Sequence, residues 1–460
     1  MTATQKDEIR VLVPVGMLGG GFPEETVMRA KELGADVIAL DGGSTDSGPH
    51  YLGASVAKTA RAAVYRDLRM ILRAAKDADV PVIIGSCGTS GTDAGVDWVA
   101  GMAREIAELD GLTLRIARIY SEQDGDALLP LLHAGRVHPL PPAAPLDART
   151  VEACDHIVGV LGHEPIADAL EAGANVILAG RATDTALIAA VPLMHGMHEG
   201  AAWHGAKIAE CGGLCTTNPR GPGVLVTFDR SGFTVEPLDP DAACTPTTVA
   251  AHMMYENRDP FRMREPAGTL DTSEATYTAV DDRIVRVEGS RFEPADQYTT
   301  KLEGAAPAGY QTTILVGIDD PKVMANVDVF RTEVLAYVRA GLIRDMGLAE
   351  TDFDLQLRPY GRDALLPTGA ARPESRPAEV GFLFVATAAD QDTATQIAKY
   401  ANPVLLHAPL PGATALPSYA LFGSPAESER GLVHEFVLCH AVDVQSPAEL
   451  FRTEYEEVAA

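Results

Sequence analysis

The amino-acid sequence predicts an α/β fold: a parallel sheet with helices on both faces, joined to an α+β insertion and a C-terminal βαββαβ unit. Two observations carry most of that expectation. From Ile9 onward, short β-branched or aliphatic runs alternate with longer amphipathic stretches, as strands covered on both faces and separated by helices must. Three of the early strands then end in loops of glycine, small hydroxyl residues and aspartate, and in an α/β sheet such loops gather at the carboxyl edge of the strands.

In order, strands are expected at 9–15, 36–40, 80–84, 112–119, 156–161 and 175–179, with helices at 23–33, 54–78, 96–109, 124–134, 165–172 and 184–194. These make an α/β domain over 1–215 that carries the glycine-rich loops. From 221 to 289 the texture changes to short alternating strands, such as 223–228 and 284–288, among Pro, Gly and Asp turns. The 216–308 stretch therefore reads as an α+β segment closing the core domain. Over 309–460 the order is strand 312–318, helix 322–341, strands 353–359 and 380–386, helix 391–401 and a strand near 434–444. That is the split βαβ, or ferredoxin-like, arrangement. Proline-rich 139–145 and 367–377 read as extended loops.

At 460 residues the chain is long enough for two or three packed units. A formal net charge of −27 repels phosphate backbones and anionic lipid, so neither nucleic acid nor a membrane surface is an expected partner. No apolar run approaches the length of a membrane span, and no signal segment precedes the first strand. Six cysteines over so long a chain make no disulfide framework, which points to reduced thiols and a cytoplasmic location.

The first loop, Gly16-Met17-Leu18-Gly19-Gly20-Gly21, reads G-x-x-G-G-G rather than G-x-G-x-x-G, and no G-x-x-x-x-G-K-[ST] occurs. Neither a nicotinamide nor a P-loop nucleotide is expected. Gly19, Gly20 and Gly21 can still let the backbone approach a carboxylate, phosphate or thioester, or simply make a tight turn. The second loop holds Asp41 and Asp46 around Ser44 and Thr45. Asp41 directly follows its strand, a position that suits a general base or a Mg²⁺ ligand; either aspartate could instead bond a turn or cap a helix. In the third loop Cys87 is a nucleophile if the surrounding N–H groups lower its pKa, and otherwise a small buried residue. Ser86, Thr89 and Ser90 read as hydrogen-bond donors to a ligand, and Asp93 as a helix cap.

Later strand ends add Glu122 and Asp124, His163-Glu164, and Gly180-Arg181-Ala182-Thr183-Asp184. Arg181 offers a planar fork to a carboxylate, or a structural bridge to an aspartate, and His163 titrates near neutral pH. The run after His163 lacks the second histidine of H-E-x-x-H. His204, Cys211 and Cys215 have the residue types of a soft metal site, but a lone C-x₃-C is unspecific.

Gly19-Gly20-Gly21-Phe22, Asp41-Gly42-Gly43-Ser44-Thr45-Asp46-Ser47-Gly48-Pro49, Gly85-Ser86-Cys87-Gly88 and Gly180-Arg181-Ala182-Thr183-Asp184 together resemble the acyclic terpene utilisation (AtuA-like) family over most of the chain. The resemblance implies small-molecule carboxylate or acyl chemistry in a catabolic setting, and a small companion protein encoded as a separate chain. It does not carry a terpene substrate with it.

The expected function is that of a lyase, a hydratase or dehydratase acting on a small organic acid or its acyl thioester. Asp41 would move the proton α to the carbonyl, His163 or Asp184 would serve the departing hydroxyl, and Arg181 with the loop amides would hold the carboxylate or enolate oxygens. A divalent cation such as Mg²⁺ on Asp41, Asp46 or Asp184 is an option. The alternatives are a carbon–carbon lyase or acyl transferase using Cys87, and a ligand-binding subunit of a two-protein complex. A homo-oligomer is expected.

Overall fold

The computed structural model describes residues 6–362, 378–408, 410–411 and 419–459; the proline-rich 367–377 stretch lies outside them. The chain divides into two compact units, Met1–Ala306 with Glu435–Ala460, and Pro307–His434.

The first unit is built on a ten-stranded mixed sheet. At its centre, Ile9–Val13, Val37–Asp41, Val82–Gly85, Val176–Ala179 and Leu114–Tyr120 run parallel. Alternate residues face opposite ways, as the period of a strand requires. Ile38 and Leu40 pack with the helices Arg61–Ala78 and Asp93–Asp110, while Val37 and Ala39 pack with Asp184–Met194 and Glu199–Ala209. Helices on both faces therefore explain why these strands are apolar throughout.

The expectation of a purely parallel sheet is corrected at both edges. Val224–Phe228 pairs antiparallel with Ile9–Val13 and is followed outward by Gly232–Pro237, Val285–Glu288 and Thr276–Ala279. Arg452–Val458 pairs antiparallel with Leu114–Tyr120. Short turns rather than crossover helices connect the strands of the 216–308 stretch, so they add antiparallel. Four of them extend the main sheet, whereas Arg262–Glu265, Gly268–Asp271 and Arg291–Pro294 form a separate three-stranded antiparallel sheet in the same unit, and Glu435–Ala460 joins the first unit rather than the C-terminal one. His156–Val160 forms where expected but leaves the parallel sheet and pairs antiparallel with Lys301–Ala305. The helix Glu199–Ala209 had no counterpart in the sequence reading, because residues 200–209 are buried all round and show no amphipathic stripe.

In the second unit, helices Val327–Met346 and Gln391–His407 pack on strands Phe353–Tyr360, Val380–Ala388 and the later part of Thr299–Ile318 through Phe330, Val338, Phe382, Phe384 and Ile397. Strand neighbours run Phe353–Tyr360, Val380–Ala388, Thr299–Ile318, Ser428–Asp443. No helix among the described residues is long and apolar enough to cross a membrane.

Candidate active site

The carboxyl ends of Val37–Asp41, Val82–Gly85 and Val176–Ala179 deliver Asp41, Ser86 and Arg181 to one place. Asp41 is 6% exposed and Arg181 9%. Arg181 Nε donates to Glu303 Oε2 at 3.1 Å, and Nη1 donates to Ser86 Oγ at 3.2 Å and Ala182 O at 2.9 Å. Nη1 also lies 3.8 Å from Asp184 Oδ1. Nη2 makes no hydrogen bond to the described residues. Thr45 Oγ1 donates to Glu303 Oε2 at 2.9 Å, and Lys301 Nζ donates to Oε1 at 2.5 Å. Arg181 and Lys301 hold the Glu303 carboxyl down at about 2 although burial alone would raise it. Glu303 is thus a fixed anion that anchors the guanidinium.

Asp41 is the opposite case. Oδ2 accepts the Gly43 N–H at 2.8 Å, whereas Oδ1 is buried without a partner among the described residues. Burial first, then the nearby charge of Asp184, hold its carboxyl well above the usual carboxylate range, against the opposing pull of Arg181. Burial also raises Asp184, helped by Asp46 and Glu256 and opposed by Arg181 and Lys207. Asp184 itself is half-buried in the first turn of its helix, which Thr183 caps by accepting the Ala186 N–H at 3.2 Å.

Several expected ligand contacts are already used within the protein. The amides of Gly19 and Gly21 donate to Asp67 Oδ2 at 3.0 and 2.9 Å, and that of Gly20 to Met17 O at 2.9 Å, so the first loop is a filled cradle. Thr89 Oγ1 accepts from the Lys58 amide at 2.9 Å and Ser90 Oγ donates to Tyr51 O at 3.1 Å, both on buried side chains. Ser44 and Asp46 bond each other, with Ser44 capping the turn Thr45–Ser47. Cys87 is fully buried, its Sγ donating to Ile84 O at 3.6 Å. Burial and Asp41 push the thiol up, which favours the small buried residue of the two readings open for Cys87. Thr92, not Asp93, caps the helix Asp93–Asp110; Asp93 instead exchanges hydrogen bonds with Glu122.

His163 is not drawn into the Asp41–Arg181 group. Its ring meets Trp203 edge-on at 5.5 Å, and Nδ1 lies 3.4 Å from Glu164 Oε2. Burial lowers its pKa, with Glu164 and Glu199 opposing. His204 is also spent: Nδ1 meets Ser290 Oγ at 2.7 Å and Nε2 meets Tyr277 OH at 3.2 Å, and burial drives it down to about 3.

Besides Glu303, three residues that the sequence does not single out extend the cluster beyond Asp184. Lys207 is bonded to Glu210, whose carboxyl burial pushes up to about 8. Glu265 Oε1 accepts from Thr185 Oγ1 at 2.7 Å while Oε2 is buried without a partner, and burial lifts this carboxyl to about 7. With Glu303 they line one patch of buried acids and bases. The one available signal was a lysine and a glutamate inside the apolar run Ala201-Ala202-Trp203-His204-Gly205-Ala206-Lys207-Ile208-Ala209-Glu210; charges there need partners. A cavity of about 540 Å³, lined by Lys6, Asp36, Lys76, Arg115 and Asn175 among others, opens at the amino ends of the same strands. Among the described residues, none of those lining it carries a buried polar atom without a partner.

The third loop holds Arg181 by close backbone contact. Gly91 has φ +70°, and a Cβ there would lie 2.1 Å from Arg181 N. Gly91→Ala is expected to cost roughly 2–4 kcal/mol from left-handed strain and overpacking, read by urea unfolding. Wild-type stability would show that the loop is not so closely packed.

Among the described residues, the three side chains spaced to hold a metal ion are Glu210, Cys211 and His252, not the aspartates of the second loop. No curated protein and no solved structure matches the chain. A family model described as acyclic terpene utilisation family protein AtuA matches residues 54–221 and 225–434, a span that includes the Ser86 loop, Arg181, Asp184 and Glu303. The glycine-rich loop exits and buried acid–base cluster therefore sit in a chain that belongs to the acyclic terpene utilisation (AtuA) family.

Proposed function

We propose that this chain is a hydro-lyase acting on a small hydroxy acid or its acyl thioester. The observation that carries the reading is Asp41 Oδ1, buried with no hydrogen-bond partner among the described residues on a carboxyl held well above its ordinary range, beside an arginine whose Nη2 makes no hydrogen bond to those residues. A carboxyl in that state is a proton donor. This reverses the role expected from sequence, where Asp41 was the base. Arg181 Nη2 would hold the substrate carboxylate or thioester oxygen and the enolate that develops on it.

Asp184, the more exposed of the two aspartates, then takes the proton from the carbon next to that group. The C–O bond on the neighbouring carbon breaks, its electron pair leaves with the Asp41 proton as water, and a C=C bond remains. Return of the proton from Asp184 to Asp41 resets the pair. Hydration is the same path reversed. The second unit reads as ferredoxin-like, supported by its strand order.

A panel of 3-hydroxy acids and their thioesters, incubated in D₂O and read by mass spectrometry, tests the reaction. Deuterium at the α-carbon and an unsaturated product are expected, and Asp184→Asn should lose both. A panel with no exchange and no dehydration, or wild-type exchange in Asp184→Asn, defeats the reading.

A further inference from the structure

Beyond that chemistry, we infer that Glu210, Cys211 and His252 form a binding site for a divalent first-row transition ion of the Zn²⁺ type. The inference does not rest on the hydro-lyase reading. Glu210 and Cys211 follow directly on the helix Glu199–Ala209, and His252 ends the helix Pro246–His252. Packing of these two helix ends brings one donor atom from each residue within 4.8 Å of the others. A tetrahedral ion spaces its ligand atoms about 3.5 Å apart, given metal–sulfur and metal–nitrogen bonds of about 2.3 and 2.0 Å.

One feature beyond the spacing points to a ligand. His252 is 4% exposed, and its Nε2 is buried with no hydrogen-bond partner among the described residues. The Tyr255 ring stacks on the imidazole at 5.5 Å, which fixes its plane without satisfying the nitrogen. A buried imidazole nitrogen left alone costs stability that coordination would return. The Lys207 ammonium already pairs with Glu210 Oε1, so an ion would take the other carboxylate oxygen. Asp184 acts on Lys207 electrostatically as well.

The donor set selects the metal. Thiolate and imidazole suit Zn²⁺ or its neighbours, whereas Mg²⁺ and Ca²⁺ take oxygen donors. Binding converts the Cys211 S–H to a thiolate and releases that proton to solvent. Three protein ligands leave the fourth position of a tetrahedral ion to water or an external ligand.

Co²⁺ provides the probe. Full-length protein stripped with chelator and titrated with Co²⁺ is expected to bind one equivalent and to show a sulfur-to-cobalt charge-transfer band with intense tetrahedral d–d bands. Cys211→Ser should lose the charge-transfer band while keeping the wild-type circular dichroism spectrum. His252→Ala and Glu210→Gln should each weaken binding by more than about tenfold, and Cys439→Ser, a thiol elsewhere in the unit, should leave the band intact. Zn²⁺ should displace Co²⁺ and erase the spectrum. Absence of a charge-transfer band in the wild type, its persistence in Cys211→Ser, or its loss in Cys439→Ser overturns the assignment. So does Mg²⁺ competing as well as Zn²⁺.

Discussion

Asp41→Asn is expected to abolish turnover, by roughly a hundredfold or more, while making the folded chain more stable as pH rises. The amide is isosteric and can still accept the Gly43 N–H on which Oδ2 now depends. What it cannot do is ionise. Because burial and Asp184 raise the folded-state pKa of Asp41 above its ordinary 3.8, the folded protein holds this proton over a pH range in which the unfolded chain has lost it. The associated stability is fully present below the unfolded pKa and drains away as pH climbs through the raised one. Within that window the wild type loses up to about 1.4 kcal/mol per pH unit relative to the variant. Urea unfolding of both proteins between about pH 5 and pH 8 measures the gap; parallel curves would mean that Asp41 is not held protonated.

Arg181→Ala should be the most damaging single change to the fold. It leaves the buried Glu303 carboxylate without its main counter-charge, and breaking a buried pair by removing one partner costs about 3–5 kcal/mol. Glu303→Gln should cost less, because Arg181 keeps its bonds to Ser86 and Ala182. The pH signature has the opposite sign from that of Asp41. Glu303 is depressed from 4.5 to about 2, so its contribution is present above 4.5 and is lost as pH falls through about 2. That acid-side slope should be shallower in Arg181→Ala. Combining Arg181→Ala with Glu303→Ala should cost less than the sum of the two single changes; strict additivity would show that the two residues are not coupled.

Asp41 and Arg181 were legible in the sequence because each follows an apolar strand directly, and a strand end fixes where its next side chain points. The parallel centre was legible for a related reason, since Val37 to Leu40 and Val82 to Ile84 are apolar on both faces. The rest of the site depends on distant segments. Glu303 reaches Thr45 across a separation of 258 residues, and Lys207, Glu210 and Glu265 come from helices and strands whose docking no local pattern encodes. Long-range pairing also misled the strand assignment: His156–Val160 has the composition of its parallel neighbours, yet its partner is the antiparallel Lys301–Ala305. Thr89, Ser90 and Cys87 have the residue types of a ligand loop, and only their burial shows that the protein itself uses them.

The Asp67 carboxylate sits on the Gly19 and Gly21 amides, where related sheets receive a nucleotide phosphate. A tethered anion competes as if present at very high effective concentration, and Arg66 holds its other oxygen in place at 2.8 Å. A free phosphate group would have to displace a competitor that never diffuses away. The strand exit that most resembles a nucleotide site is therefore occupied from within by the chain's own carboxylate.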